Sequence, residues 1–129
     1  MRGKIDDPQA WLNFARRDLA RARQETSGED RGYAVFFLQQ AAEKCLKGKL
    51  VALGWELVKT HDLVALSDAA QSYGVDLAWF AHTAESLTYE YFAERYPGDF
   101  DPPPSEAEVR GYLADVERLF AELFPPNPS

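Results

Sequence analysis

The chain has 129 residues, 46% of them hydrophobic and 13% aromatic, which predicts one domain with a packed core and argues against disorder. A formal net charge of −7 argues against a general nucleic-acid binder, which needs a basic footprint, and leaves open a local patch for a nucleotide or a short RNA segment. The single cysteine, Cys45, excludes an internal disulfide and is typical of a reducing compartment.

Five helical segments are predicted, and the first two are the longest. The first begins at Asp7 and Pro8, an N-cap followed by the proline that favours the first helical position, and it ends near Gly28. The second begins near Asp30 and ends at Gly54, which fits a C-terminal cap.

The third and fourth segments are shorter. Thr60 or Asp62 caps the third, which Gly74 closes, and Asp76 caps the fourth, which ends at residues 96–98. The apolar stripe predicted for the fourth helix comprises Leu77, Phe80, Ala81, Ala84, Leu87, Tyr91 and Phe92.

The fifth helix follows a proline-rich connector and starts with a capping box formed by Ser105 and Glu108. No β-type alternation or internal repeat is present. We therefore predict one all-α domain over residues 1–129, an up-and-down bundle of about five helices with its core at 7–124 and a tail at 125–129. With no signal peptide and no apolar run of membrane-spanning length, we expect a cytoplasmic protein that does not enter a membrane.

The second helix has a wide apolar arc and an opposite face that differs from an ordinary solvated one. That face mixes three aromatic rings and a valine with amides and charges, namely Tyr33, Phe36, Phe37 and Val51 with Gln40, Glu43, Lys44 and Lys47. This mixture suggests a contacted surface that meets a second subunit, a ligand or both.

Two lysines on this face are candidate phosphate ligands. Lys44 and Lys47 are three residues apart, so both ammonium groups could reach one phosphate; alternatively, Lys47 pairs with Glu43 at i, i+4. Gln40, one turn earlier, is suited to a base or sugar, or to its own counterpart across a dimer interface.

Two further candidates lie outside the second helix. His61 is at a predicted helix start, where free amides favour an anion, so it either orients a phosphate or packs at the loop corner. Arg95 either caps C-terminal carbonyls and pairs with a carboxylate, or contacts a phosphate or partner.

A glycine inside the second helix also needs an explanation. Gly48 is unfavourable there by about 1 kcal/mol relative to alanine, so we expect close packing, within the bundle or across a two-fold axis. We assign it to a candidate interface with Tyr33, Phe36 and Phe37. No metal site, cofactor site or phosphate-binding loop is predicted, because no ligand spacing or glycine-rich motif is present.

The order of the elements, and several motifs within them, resemble the HEPN family (higher eukaryotes and prokaryotes nucleotide-binding domain). The resemblance covers almost the whole chain and is carried by Trp11-Leu12, by residues 39–44 (QQAAEK) with Leu46-Lys47, by Thr60-His61-Asp62-Leu63, and by Arg95-Tyr96-Pro97. It implies a helical bundle, commonly dimeric, that is often encoded beside a minimal nucleotidyltransferase.

Many members of that family are ribonucleases with a motif in which four to six residues separate an arginine from the histidine that follows it. The histidines of this chain are His61 and His82, and no arginine lies between Arg31 and Arg95, so this motif cannot form. We therefore expect no catalytic residues and no ribonuclease activity.

Three hypotheses follow. The first is a dimeric binding module of a toxin–antitoxin-like system that recognises a nucleotide, an RNA or a nucleotidyltransferase. The second is a divergent ribonuclease in which His61 and Arg95 meet in space. The third is a purely structural dimeric scaffold.

Overall fold

The computed structural model describes residues 7–28, 30–56, 59–93 and 104–126. These residues form five α-helices: α1 (Pro8–Thr26), α2 (Arg31–Ala52), α3 (Leu63–Ser72), α4 (Ala81–Ala93) and α5 (Glu106–Leu123). A short 3-10 turn, Ala78–Phe80, leads into α4, and no strand occurs in the described ranges. The predicted all-α bundle is confirmed.

Four helices begin at a side chain that accepts a hydrogen bond from an otherwise unpaired amide of the first turn. These caps are Asp7 for α1, Asp30 for α2, Asp62 for α3 and Ser105 for α5. At Ser105 the bond is reciprocal, because the carboxylate of Glu108 accepts from the Ser105 amide, so the predicted capping box is present.

Two predicted stops and one predicted start have a clear structural basis. Gly54 and Gly74 have φ angles of +93° and +90°, a left-handed conformation that glycine adopts without strain. Asp76 accepts from the Ala78 amide, so it starts the 3-10 turn and not α4 itself. Phe92, predicted on the inner stripe of α4, is 41% exposed. The predicted end of this helix, at residues 96–98, lies outside the described residues.

Helix α2 is the central element and packs against each of the other four helices. More than half of its residues are buried: Ala34, Val35, Leu38, Gln39, Ala41, Ala42, Glu43, Cys45, Leu46, Lys47, Gly48 and Leu50. A helix buried nearly all round has little amphipathic character. The prediction that its mixed face is an outer contact surface is therefore wrong for Glu43 and Lys47, which are buried within the bundle, whereas Tyr33 is exposed and the other members of that face are half-buried.

The apolar core lies along α2 and takes leucines, alanines and valines from all five helices, together with Phe80 at the start of α4. Within the described ranges, no helix combines the length and the apolar character needed to cross a membrane.

Candidate functional site

A buried carboxylate, that of Glu43, is the centre of a polar network inside the bundle. Its Oε1 accepts from Gln39 Nε2 at 3.1 Å and from His61 Nδ1 at 2.9 Å, and its Oε2 accepts from Lys47 Nζ at 2.9 Å. The spacing i, i+4 places Gln39, Glu43 and Lys47 in one row on α2. Because each of the three is less than 10% exposed, these hydrogen bonds replace water that the bundle excludes.

The same network fixes the segment between α2 and α3. Gln39 Nε2 also donates to the backbone oxygen of His61 at 2.9 Å, and Gln39 Oε1 accepts from Gln40 Nε2 at 3.1 Å. The loop that carries His61 is therefore held by side chains that lie some twenty residues earlier in the chain.

His61 is half inside and half outside the protein. Its Nδ1 faces Glu43, whereas 53% of its side chain is exposed. The imidazole lies 5.3 Å from the ring of Tyr91 on α4, and Tyr91 is in turn stacked with Phe36 on α2 at 6.1 Å between centroids. Since a carboxylate accepts only from a protonated nitrogen, Nδ1 carries a hydrogen.

The start of α3 does not offer the free amides that were expected beside His61. The amides of Val64 and Ala65 donate to the carboxylate of Asp62, and the Leu63 amide donates to Thr88 Oγ1. The negative charge of Asp62 occupies the position that an anion would take. The expectation of an anion site at this helix start is therefore wrong.

The two candidate lysines are held by different carboxylates. Lys47 pairs with Glu43, the alternative that its sequence spacing had indicated, and its ammonium lies 5.8 Å from the ring of Trp11. Lys44 pairs with Asp18 of α1 at 2.6 Å, and 26% of its side chain is exposed. The two ammonium groups therefore do not form a joint phosphate clamp in this structure.

The candidate interface residues separate into two groups. Tyr33 is 58% exposed, and Phe36 and Phe37 are half-buried beside it. Gly48 is buried against the start of α1, where an added Cβ would lie 2.9 Å from Trp11 Cβ. Its assignment to an interface between subunits is therefore wrong, because the close approach occurs within the bundle.

Some residues of the site escaped the sequence analysis, and one candidate lies beyond it. Gln39 had a usable signal, since it completes the i, i+4 row with Glu43 and Lys47. Tyr91 was predicted on the inner stripe of the fourth helix but not as a neighbour of His61, and Asp18 had no signal, because only the tertiary fold brings α4 and α1 to this part of α2. Arg95 lies outside the described residues.

The chemistry of the site is that of orientation and hydrogen bonding. In the described ranges no group of three or more His, Cys, Asp or Glu side chains is arranged to hold a metal ion. The one described thiol, Cys45, is buried, and burial raises its pKa far above its ordinary value.

Comparisons with known proteins agree with this fold. The family model described as "HEPN domain" matches residues 8–123, a span that contains all the residues of the Glu43 network. Among solved structures, the chain is similar to the crystal structure of TT1696 from Thermus thermophilus. The two have a TM-score of 0.78 and 26% sequence identity, over 90% of this chain and 94% of that one. No curated protein matches the chain.

Proposed function

The chain belongs to the HEPN family, and from this premise we propose that it is a binding module of a prokaryotic two-component, toxin–antitoxin-like system. It recognises a nucleotide, or a nucleotidyltransferase partner, at the corner where the α2–α3 loop meets α4. Its role in this proposal is recognition and not RNA cleavage.

The observation that carries the proposal is the half-exposed imidazole of His61. Nδ1 of the ring is held by the buried carboxylate of Glu43, and 53% of the side chain is exposed. The neutral ring offers Nε2 as an oriented acceptor, and the protonated ring offers an N–H that suits a phosphate oxygen. A rigid support with one exposed polar atom is the arrangement that a recognition site needs.

The surroundings of His61 fit a nucleotide. Tyr91 is only 3% exposed, so it supports the imidazole from inside the bundle, and the ring left for a base is that of the half-buried Phe36 stacked on it. Gln40 and the partly exposed Lys44 lie further along α2 and contact the sugar and phosphates at the rim. Lys47 holds the second oxygen of Glu43 and so positions His61 from behind.

Isothermal titration calorimetry with the four ribonucleoside triphosphates tests this proposal. We expect at least one to bind, with the affinity lowered tenfold or more by His61→Asn and reduced by Lys44→Ala and Lys47→Ala. His82→Asn is the matched control, since His82 is exposed on α4 away from the network. Absence of heat with all four nucleotides would overturn the nucleotide version.

The partner version has its own test. Co-expression with a nucleotidyltransferase encoded by an adjacent reading frame is expected to give a complex on size-exclusion chromatography, and His61→Asn is expected to weaken it. If neither nucleotide nor enzyme binds, the binding-module proposal is overturned, and the ribonuclease and the structural scaffold remain.

A divergent ribonuclease is the second candidate, and one observation favours it. A carboxylate that orients an imidazole, as Glu43 orients His61, is the usual support of a general base. The absent arginine–histidine motif speaks against it. Purified protein that leaves end-labelled RNA intact, under conditions where a motif-bearing relative cleaves it, would exclude this function and any catalytic role of His61 with Arg95.

A further inference from the structure

The outer face of α1 carries a positive charge that contrasts with the acidic chain. Its four arginines exceed its two acidic residues, Asp18 and Glu25, so the helix has a formal charge of +2 whereas the whole chain has −7. Asp18 is moreover paired with Lys44 of α2. The excess of positive charge therefore lies on the solvent side of α1.

Among the described residues, one of these four arginines has an acidic partner. Arg23 pairs with Glu117 of α5 at 2.8 Å. In the part of the chain that the structure describes, no carboxylate forms an ion pair with the other three, which are Arg16, Arg17 and Arg21, and all three are exposed.

Two of the unpaired guanidinium groups lie over aromatic rings. Arg17 Cζ is 5.4 Å from the ring centroid of Phe14, and Arg21 Cζ is 4.9 Å from that of Phe37. Phe14 is 45% exposed, in a shallow depression that Arg16 also lines. We call these five residues the arginine–aromatic surface.

We infer that the arginine–aromatic surface binds an acidic segment of a partner protein. Arg17 and Arg21 are one helical turn, about 6 Å, apart. Stacking on rings holds their planar groups ready for bidentate contact with carboxylates, and such contacts are the strong form of this hydrogen bond. The segment that fits carries two carboxylates about 6 Å apart, to match that spacing, and an apolar side chain for Phe14.

A second copy of this chain is a poor occupant. In a two-fold symmetric contact the same patch faces itself, so Arg17 and Arg21 would meet their own counterparts. Like charges facing each other across an interface oppose association.

A nucleic acid fits less well than an acidic peptide. Affinity for a polyanion comes from many phosphate contacts, whereas Arg16, Arg17 and Arg21, unpaired among the described residues, extend over only about 8 Å of helix. The remaining surface of a chain with net charge −7 repels a longer strand. The small number of charges suits a short segment with two or three carboxylates.

Fluorescence anisotropy with defined probes tests this inference. The probes are fluorescein-labelled 12-residue peptides that contain one leucine and two glutamates, placed three, four or seven residues apart. A control peptide, the glutamine sibling, has both glutamates replaced by glutamine. A 12-nucleotide oligouridylate tests whether the surface binds nucleic acid instead. We expect the peptide with spacing four to bind tightest and its affinity to fall at least tenfold between 50 and 300 mM salt.

Two double variants with the same change in net charge separate this surface from general electrostatics. Arg17→Gln/Arg21→Gln is expected to weaken peptide binding at least tenfold. Arg110→Gln/Arg118→Gln, on α5, is expected to change it less than twofold, with circular dichroism verifying that both variants are folded.

Several results would overturn the inference. They are an absence of peptide binding below millimolar concentration, equal binding of the glutamine sibling, equal losses in the two double variants, and tighter binding of the oligouridylate. The first three do not bear on nucleotide binding at His61. Oligouridylate binding counts against this inference only where Arg17→Gln/Arg21→Gln weakens it and His61→Asn does not, so the two proposals fail independently.

Discussion

The ammonium group of Lys47 carries its charge where water has little access. Its side chain is 8% exposed and that of Glu43 is 5% exposed. A buried pair of this kind adds little net stability, because desolvation of the two charges offsets their attraction. Replacing one partner strongly destabilises the fold, because the other charge is then buried and unpaired. The main effect of the network is therefore to fix the conformation of the loop that carries His61. Its contribution to the stability of the fold is small.

A double-mutant cycle measures this coupling. Glu43→Leu and Lys47→Met are each expected to destabilise the protein by about 3–5 kcal/mol, and the double variant by clearly less than the sum. Urea denaturation followed by circular dichroism gives the three values. The exposed pair Glu106 and Arg110 on α5 is the control, with an expected coupling below about 0.5 kcal/mol. Additive effects at Glu43 and Lys47 would contradict the buried-pair account.

Cys45 provides a second prediction at this scale. Burial raises the pKa of its thiol above the ordinary value of 9.0, so the reactive thiolate is suppressed in the folded protein. The unfolded chain loses this proton more easily, so above about pH 9 the folded state loses stability as pH rises. We expect no reaction with Ellman's reagent at pH 8 without denaturant, and full reaction on unfolding. Cys45→Ala is expected to remove this part of the stability loss at high pH, and rapid labelling of the native protein would contradict the prediction.

Two glycines in helix interiors have opposite environments. A Cβ at Gly48 would lie 2.9 Å from Trp11 Cβ and 3.2 Å from the carbonyl oxygen of Pro8, whereas a Cβ at Gly111 would have nothing within 4 Å. Gly48→Ala is therefore expected to destabilise by about 1–3 kcal/mol despite its better helix propensity. Gly111→Ala, the matched control, is expected to stabilise by about 0.5–1 kcal/mol. If both substitutions changed the melting temperature equally, close packing of α1 against α2 at Gly48 would be contradicted.

The helix starts could be predicted from the sequence because each cap acts locally. Asp7, Asp30 and Ser105 accept from amides two or three residues ahead, so the bond lies within a short stretch of sequence. The start of α4 was predicted less well. Asp76 does bind a nearby amide, but a 3-10 turn is placed between it and the α-helix so that Phe80 reaches the core. Only the packing of the finished bundle determines that detail.

At the scale of the whole molecule, the tertiary contacts of α2 could not be predicted from the sequence. A helical wheel separates an apolar arc from a mixed one, but it does not indicate that α1, α3, α4 and α5 all contact this helix. Asp18 reaches Lys44 across 26 residues of sequence, and His61 reaches Glu43 across 18. The sequence thus indicated that the QQAAEK motif has a specific role. That its residues Gln39 and Glu43 form a buried network could be seen only from the tertiary contacts.

The most exposed part of that face is its N-terminal end. Tyr33 is 58% exposed, is stacked with Phe37 at 6.4 Å, and lies next to a shallow depression that Phe36 also lines. Exposed aromatic rings at the border of an apolar cluster are typical of protein interfaces. We expect the protein to form a homodimer through this end of α2, with the two-fold axis near Tyr33 and away from Arg17 and Arg21, whose like charges would otherwise meet.

Sedimentation velocity at micromolar concentration tests the dimer. Tyr33→Glu is expected to raise the dimer dissociation constant at least tenfold, because a two-fold axis close to this residue brings two added charges together. Tyr73→Glu is the matched control and is expected to leave the dimer intact, since Tyr73, 44% exposed, caps the C-terminal end of a different helix, α3. A wild-type protein that sediments as a monomer would remove the dimer altogether. Equal weakening by both variants would place the contact elsewhere, because only an interface at the start of α2 distinguishes the two tyrosines.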